Sequence, residues 1–226
     1  MTDKQLEIYN IYFHSKLGFD KNKDLAIELL EQTITLLDEF NIEYTLISGT
    51  LLGYVRHNDF IPWDDDMDLI VSATLLDKLP DIINKYSNNL TFLKTKNYLI
   101  KICLKKSENI ITKLSNHVLI NNKDKYTFPY IDLFLFNYNN DKTLINFFNS
   151  NWESNKFFPV NKVDFLTLKN VSIPNTPDYF LKKNYKDDYM TTLISSNWNH
   201  RLEISIPKIE RLTMDEYTLC KNKITI

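Results

Sequence analysis

Residues 46–71 read LISGTLLGYVRHNDFIPWDDDMDLIV, and the rest of the chain is organised around them. An apolar run ends in a small-residue turn, Ser48-Gly49-Thr50. It passes through an amphipathic piece carrying Arg56 and His57 and closes on Asp64, Asp65, Asp66 and Asp68, with apolar Leu69, Ile70 and Val71 directly after. So much negative charge against a strand of buried character is unfavourable unless a cation neutralises it. Hard divalent ions, Mg²⁺ or Mn²⁺, prefer carboxylate oxygens, and a phosphate-bearing substrate would complete their coordination.

Residues 66–71 read as a strand, so Asp66 and Asp68 point to one face and Met67 and Leu69 to the other. Asp64 shares that parity if the extended run reaches back to it, while Asp65 points away. The structural alternative is a solvated acidic loop capping a helix. An EF-hand is not supported, because it needs further oxygen ligands and a glycine within the same loop. A second acid, Asp132, lies in the apolar run YIDLFLF at 130–136. A carboxylate there needs a cation or a buried basic partner. Lys101, inside the apolar run 98–104, either faces phosphate or sits on a solvent face with its stem laid over apolar surface.

The pieces SGTLLGYVRH (48–57) and DFIPWDDDMDL (59–69) resemble the LicD family, which includes bacterial phosphocholine transferases and fukutin-related ribitol-phosphate transferases. YIDLFLF (130–136) and YFLKKNYKDDYM (179–190) resemble it more weakly, and the resemblance spans residues 36–190. It implies an α+β fold, a nucleotidyltransferase-like mixed β-sheet core flanked by helices. In that fold the turn after the first strand holds phosphates with backbone N–H groups, as a small-residue turn entering a helix can. Ser48, Gly49 and Thr50 are the candidates for that cradle. Asp64, Asp66, Asp68 and Asp132 are the candidate metal ligands, with Asp66, Asp68 and Asp132 as the catalytic acids. Arg56, His57 and Lys101 are further candidates for substrate binding, Arg56 foremost because its planar fork suits phosphate.

The resemblance also implies the reaction: a phosphorylated alcohol moves from a CDP-linked donor to the hydroxyl of a glycan or glycoconjugate, and CMP leaves. Two other readings stay open. One is a nucleotidyltransferase acting on a small molecule, protein or RNA. The other is a non-catalytic metal- or nucleotide-binding module. The late family motif usually carries Tyr-Gly followed by an acid and an aromatic. Here Lys186 stands in the place of the glycine, and no catalytic role is placed on residues 184–190.

Composition fits this picture without adding to it. The 226 residues are 43% hydrophobic and 25% charged, with a net charge of −2, which gives nucleic-acid or anionic-membrane binding no support. Two distant cysteines and no Cys/His cluster argue against structural zinc and for a reduced setting. No signal peptide or membrane span is evident, so the expectation is a cytoplasmic protein. Two of the three glycines, Gly49 and Gly53, sit in the central stretch.

Hydrophobic spacing predicts helices over 3–17, 24–40, 74–86, 141–152 and 176–183, with one beginning at Leu51. Strands are predicted over 43–47, 66–71, 90–95, 97–105, 109–114, 130–136 and 165–171. Trp198, His200 and Arg201 read as a surface segment, with substrate contact as the other possibility. The whole, 1–226, reads as a single domain with N-terminal helices over 1–41 and a divergent part over 140–226, where acceptor choice would lie.

Overall fold

The computed structural model describes residues 3–13, 17–96, 98–107, 118–119, 126–196, 198–202, 204–205 and 210–224. Helix α1 (Asp3–Tyr12) begins as predicted but ends at Tyr12, short of the predicted residue 17, while α2 (Lys23–Glu39) falls where the helical spacing places it. The apolar stripe of α2 buries Leu29, Leu30, Leu36 and Leu37 completely, and left-handed Asn41 (φ 49°) follows its end. The chain then runs through β1 (Tyr44–Leu46), turns at Ser48 (φ 49°) into α3 (Ser48–His57), leaves by left-handed Asn58 and returns along β2 (Met67–Ser72). There follow α4 (Leu75–Tyr86), β3 (Leu90–Lys96), β4 (Leu99–Leu104), β5 (Val118–Leu119) and β6 (Tyr130–Tyr138).

These strands form a mixed sheet in the order β1-β2-β6-β4-β3-β5, with α2 lying against β4 and β6. The parallel pair is β2–β6, which a tight turn cannot join, so α4 and the β3–β5 region make the crossover. Its register sets Asp68 opposite Asp132, and the antiparallel β4–β6 register sets Lys101 opposite Asp132. Asp68, Asp132 and Lys101 therefore stand in one row across three neighbouring strands.

Residues 141–152 are not a helix. They form the hairpin β7 (Leu144–Phe147) and β8 (Ser150–Glu153), which extends the sheet from the end of β6. Ile145, Phe147 and Trp152 are buried while Asn146 and Asn151 are exposed, the period of a half-buried strand. Phe148 and Asn149 both take positive φ (52° and 55°), as a two-residue primed turn requires. No glycine marks that turn, and the aromatic density reads as helical when the turn is missed. The predicted strand over 109–114 lies outside the described residues.

A second hairpin, β9 (Asn161–Phe165) with β10 (Leu168–Ile173), precedes α5 (Pro177–Tyr185). Beyond it lie β11 (Thr192–Ile194), β12 (Trp198–Asn199), β13 (Ile204–Ser205), β14 (Arg211–Thr213) and α6 (Met214–Ile224). Strand β11 pairs with β14, and Trp63 Nε1 donates to the Ile194 carbonyl (3.0 Å), tying this part to the acidic turn. Among the described residues no helix is long and apolar enough to cross a membrane.

Candidate active site at the acidic turn

A cavity of about 340 Å³ opens where α3 begins. Ser48, Gly49 and Arg56 line it from α3, Asp64 and Asp66 from the acidic turn, Asp68 from β2, and Tyr185, Trp198 and His200 from the later chain. Exposure alternates along the turn. Asp64, Asp66 and Asp68 are half-buried, while Asp65, Met67 and Leu69 are buried, so the period-two parity continues upstream of β2. Gly49 makes the close approach possible: a Cβ there would run into the Asp64 carboxylate. The first-turn N–H groups of α3, at Ser48, Gly49 and Thr50, have no carbonyl within their own helix to bond. They give this edge a partial positive charge.

Not every residue of the central stretch faces the cavity. Thr50 is buried, and its hydroxyl accepts the Asp68 N–H (2.8 Å), so it ties α3 to the strand carrying the acid. His57 lies outside the cavity lining, edge-on to Trp63 with ring centroids 5.8 Å apart, and its Nε2 accepts from Arg56 Nε (3.0 Å). Burial, and after it the Arg56 charge, pushes the imidazole pKa down to about 4. Arg56 also donates to the carbonyls of Tyr189 (2.9 Å) and Thr192 (3.2 Å), which fixes its guanidinium at the cavity wall. Burial lowers its pKa to about 10, so it remains a cation at neutral pH.

The acids are in electrostatic tension. Burial, and then the charge on Asp66, raises Asp64 well above the usual carboxylate range. Burial and the charges of Asp66, Asp132 and Asp64 do the same to Asp68. Lys101 and Asp132 form a buried ion pair, Nζ to both carboxylate oxygens at 2.7 and 2.8 Å, and the Tyr130 ring centroid lies 3.9 Å from the ammonium. Lys101 is thus neither on a solvent face nor part of the cavity lining. Burial still raises Asp132, against the lowering by Lys101.

His200, Trp198 and Tyr185 line the cavity without a role assigned to them from sequence. His200 is drawn in from 135 positions away: its Nδ1 lies 2.7 Å from Asp65 Oδ1 and its Nε2 3.1 Å from Asp66 Oδ2. Each ring nitrogen thus has a carboxylate oxygen within hydrogen-bond distance, an arrangement that favours the imidazolium form. Burial opposes that charge, but Asp66 and Asp65 lift the pKa to about 10. The segment holding Trp198 and His200 is therefore part of the cavity wall, not an open surface. Tyr185 ends α5 and faces the same cavity, where burial and the charges of Asp64, Asp68 and Asp66 hold its phenol far above the usual range. The signal that could have found Tyr185 is the residue after it. Lys186 sits at φ 73°, ψ 175°, a region that is essentially glycine's own, and it is the position where the sequence resemblance expects a glycine.

The donor set suits a hard cation. Carboxylates strained toward protonation ionise readily beside a divalent ion. Among the described residues no group of three His, Cys, Asp or Glu side chains is arranged to hold a metal ion by itself. Mg²⁺ in particular is commonly held by one or two carboxylates plus substrate phosphates and water rather than by an all-protein cage.

A mixed sheet with an acid-lined cavity at its first strand–helix turn is the plan of a nucleotidyltransferase-type domain. The chain belongs to the LicD family: the family model described as LicD/FKTN/FKRP, nucleotidyltransferase domain, matches residues 41–176. Tyr185, Trp198 and His200 lie beyond the matched residues. An uncharacterised protein of Rickettsia prowazekii (strain Madrid E) is 27% identical over 187 residues, 83% of this chain and 61% of its own length. The lipopolysaccharide cholinephosphotransferase LicD of Haemophilus influenzae (strain Rd) is 33% identical over 67 residues, 30% of this chain and 25% of its own. The chain thus spans less than two thirds of either relative. Among solved structures, the lincomycin-bound lincosamide antibiotic adenylyltransferase LnuA is 13% identical with a TM-score of 0.41, covering 65% of this chain and 78% of its own. The antibiotic-resistance factor ANT(2'')-Ia is 10% identical with a TM-score of 0.42, covering 89% and 85%. Likeness at that level says nothing about substrate.

Proposed function

We propose that the chain transfers a phosphorylated alcohol, of the phosphocholine or ribitol-phosphate type, from a CDP-activated donor to a glycan hydroxyl, with Mg²⁺ or Mn²⁺ at the acid cluster. One observation carries this reading: Asp64, Asp66 and Asp68 converge on a cavity whose other edge is the start of α3 and whose wall holds the fixed Arg56. Family membership and the cholinephosphotransferase named among the relatives support the choice of transferred group.

Asp66 and Asp68, with Asp64 beside them, would hold the ion. When bound, it supplies charge neutralisation at the donor diphosphate and at the departing CMP. The chain's own part is orientation and charge. N–H groups of Ser48 and Gly49 take phosphate oxygens, and Arg56 adds a fixed cation. His200 holds Asp65 outward and Asp66 at the cavity edge, while Trp198 and Tyr185 wall the cavity from water. Asp132, held by Lys101, would reach the acceptor hydroxyl's proton only as that pair opens.

The test is product analysis by mass spectrometry and phosphorus NMR. Purified protein with Mg²⁺ is offered CDP-choline, CDP-ribitol, CDP-glycerol and nucleoside triphosphates, with mixed sugar acceptors. CMP release that vanishes in Asp66→Ala and Asp68→Ala is the expected result. Pyrophosphate release from a triphosphate would instead make the chain a nucleotidyltransferase.

A further inference from the structure

A second cavity, of about 470 Å³, opens between the start of α4 and the tip of the β7–β8 hairpin. It is larger than the acid-lined one, and its chemistry is opposite. No Asp, Glu, Lys, Arg or His lines it. Its polar side chains are Asn137, Asn149, Tyr98 and Asn146, the last already donating from Nδ2 to Asn151 Oδ1 (2.9 Å), and its apolar walls include Leu76, Phe147 and Phe148. Asn137 and Asn146 are cross-strand partners in the β6–β7 ladder, so both amides stand on one face of the sheet.

The aromatics make this more than a shallow groove. Among the described residues seven large hydrophobic side chains are exposed, and the two aromatic ones, Tyr98 (42%) and Phe148 (38%), both line this cavity. Phe148 is held there at φ 52°, a conformation that a bulky side chain adopts only when its surroundings enforce it. Its ring packs edge-on against Phe134, centroids 4.6 Å apart. The β7–β8 turn thus sets this ring at the cavity rim, anchored on Phe134 and Phe147 and more than a third exposed.

We propose that this cavity binds neutral carbohydrate. Sugar rings present apolar C–H faces that stack on aromatic rings, and hydroxyls that both donate and accept. Asparagine amides do both, and a wall without ionic groups neither attracts a phosphate nor demands a counter-charge. The site is separate from the acid cavity. Asn137 lies five positions beyond Asp132 on β6, roughly 17 Å along the strand at about 3.4 Å per residue, and on the opposite face. It does not rest on the transfer reading, because a sugar would bind here whatever the acid cluster does.

The full chain is examined by saturation-transfer NMR with maltotriose, chitotriose and mannotriose, and on an array of neutral glycans. Expected is millimolar or tighter binding to at least one of them, weakened about tenfold or more by Phe148→Gly and by Asn137→Asp and unchanged by Asp66→Asn. Phe148→Gly suits the positive φ but gives up ring contacts with Phe134 and Phe147, so Asn137→Asp, which leaves those contacts in place, separates lost binding from lost packing. No binding to any neutral sugar would overturn the proposal. So would binding that Asp66→Asn abolishes and Phe148→Gly leaves intact. Preferential capture of an apolar peptide over every sugar would make the cavity a protein-docking surface and also overturn it.

Discussion

Lys101 holds both carboxylate oxygens of Asp132, at 2.7 and 2.8 Å, with each residue less than a tenth exposed. Removing one partner from such a pair leaves a buried charge alone and destabilises a fold by about 3–5 kcal/mol. Lys101→Met is therefore expected to lower the urea midpoint sharply at neutral pH. The loss should shrink on acidification as Asp132 takes up a proton. Lys101→Met combined with Asp132→Leu should recover most of the stability, since matched apolar replacements of buried pairs are often near neutral. A Lys101→Met protein as stable as the parent would mean that the pair is solvated.

Lys186 is exposed and occupies φ 73°, ψ 175° directly after α5. Glycine adopts that conformation without a Cβ clash, so Lys186→Gly is expected to stabilise by about 1 kcal/mol, net of the extra freedom glycine brings to the unfolded chain. For a chain of this size that is a rise of about 2–4 °C in Tm by calorimetry. A lowered Tm would show that the lysine side chain contributes something its exposure does not suggest.

These two positions also show what the sequence could and could not disclose. Asp66 and Asp68 were legible because a strand's period is local: two acids two residues apart share a face wherever the strand goes. Asp132 was legible as a buried acid needing a partner, but a choice between metal and lysine depends on the β4–β6 register, which pairs residues 31 positions apart. His200 carries no local signal at all, since its meaning comes from closure over 135 positions onto Asp65 and Asp66. The β7–β8 hairpin was missed for a local reason. Its turn places Phe148 and Asn149 at positive φ without glycine, so the usual punctuation is absent.

Burial of His57 has a consequence for stability against pH. Its pKa is about 4 in the fold against 6.5 for the free side chain, so the unfolded chain takes up a proton first as pH falls. The contribution is fully present above about pH 6.5 and is lost progressively toward pH 4. With allowance for partial exposure, this amounts to about 1 kcal/mol near pH 5. His57→Gln keeps an acceptor for Arg56 Nε and does not titrate. Denaturation at about pH 7 and about pH 5 should show the parent losing more stability than the variant. Equal losses would place the imidazole in contact with water.

Gly49 and Gly53 sit one turn apart in α3 but should fail differently. A Cβ at Gly53 would meet backbone, lying 2.6 Å from the Asp59 carbonyl oxygen and 3.2 Å from Ile61 N, neither of which can move aside alone. Gly53→Ala is expected to destabilise by about 1–3 kcal/mol through overpacking. A Cβ at Gly49 would meet the Asp64 side chain, which can rotate away. Gly49→Ala should keep near-parental Tm while weakening whatever Asp64 holds, read as a loss of Mn²⁺ affinity by calorimetric titration. A large fall in Tm for Gly49→Ala would mean that Asp64 is locked in place.

The acid cluster should respond to divalent ions in a residue-specific way. An ion that binds only the folded chain stabilises it by mass action, about 2.7 kcal/mol at a hundredfold excess over Kd. Mg²⁺ or Mn²⁺ is therefore expected to raise Tm, and EDTA to reverse the rise. Asp66→Asn and Asp68→Asn should each abolish the shift, because both carboxylates face the cavity. Asp65→Asn should retain it: Asp65 points away, and its Oδ1 is bonded to His200 Nδ1. That contrast separates coordination from bulk charge, since all three substitutions remove the same formal charge within a few residues of one another. A shift lost equally in all three would reduce the cluster to a diffuse electrostatic attractor. A shift absent from the parent would leave the raised proton affinities of Asp64 and Asp68 as the resting chemistry of the site, with carboxylic acids rather than a metal facing the substrate.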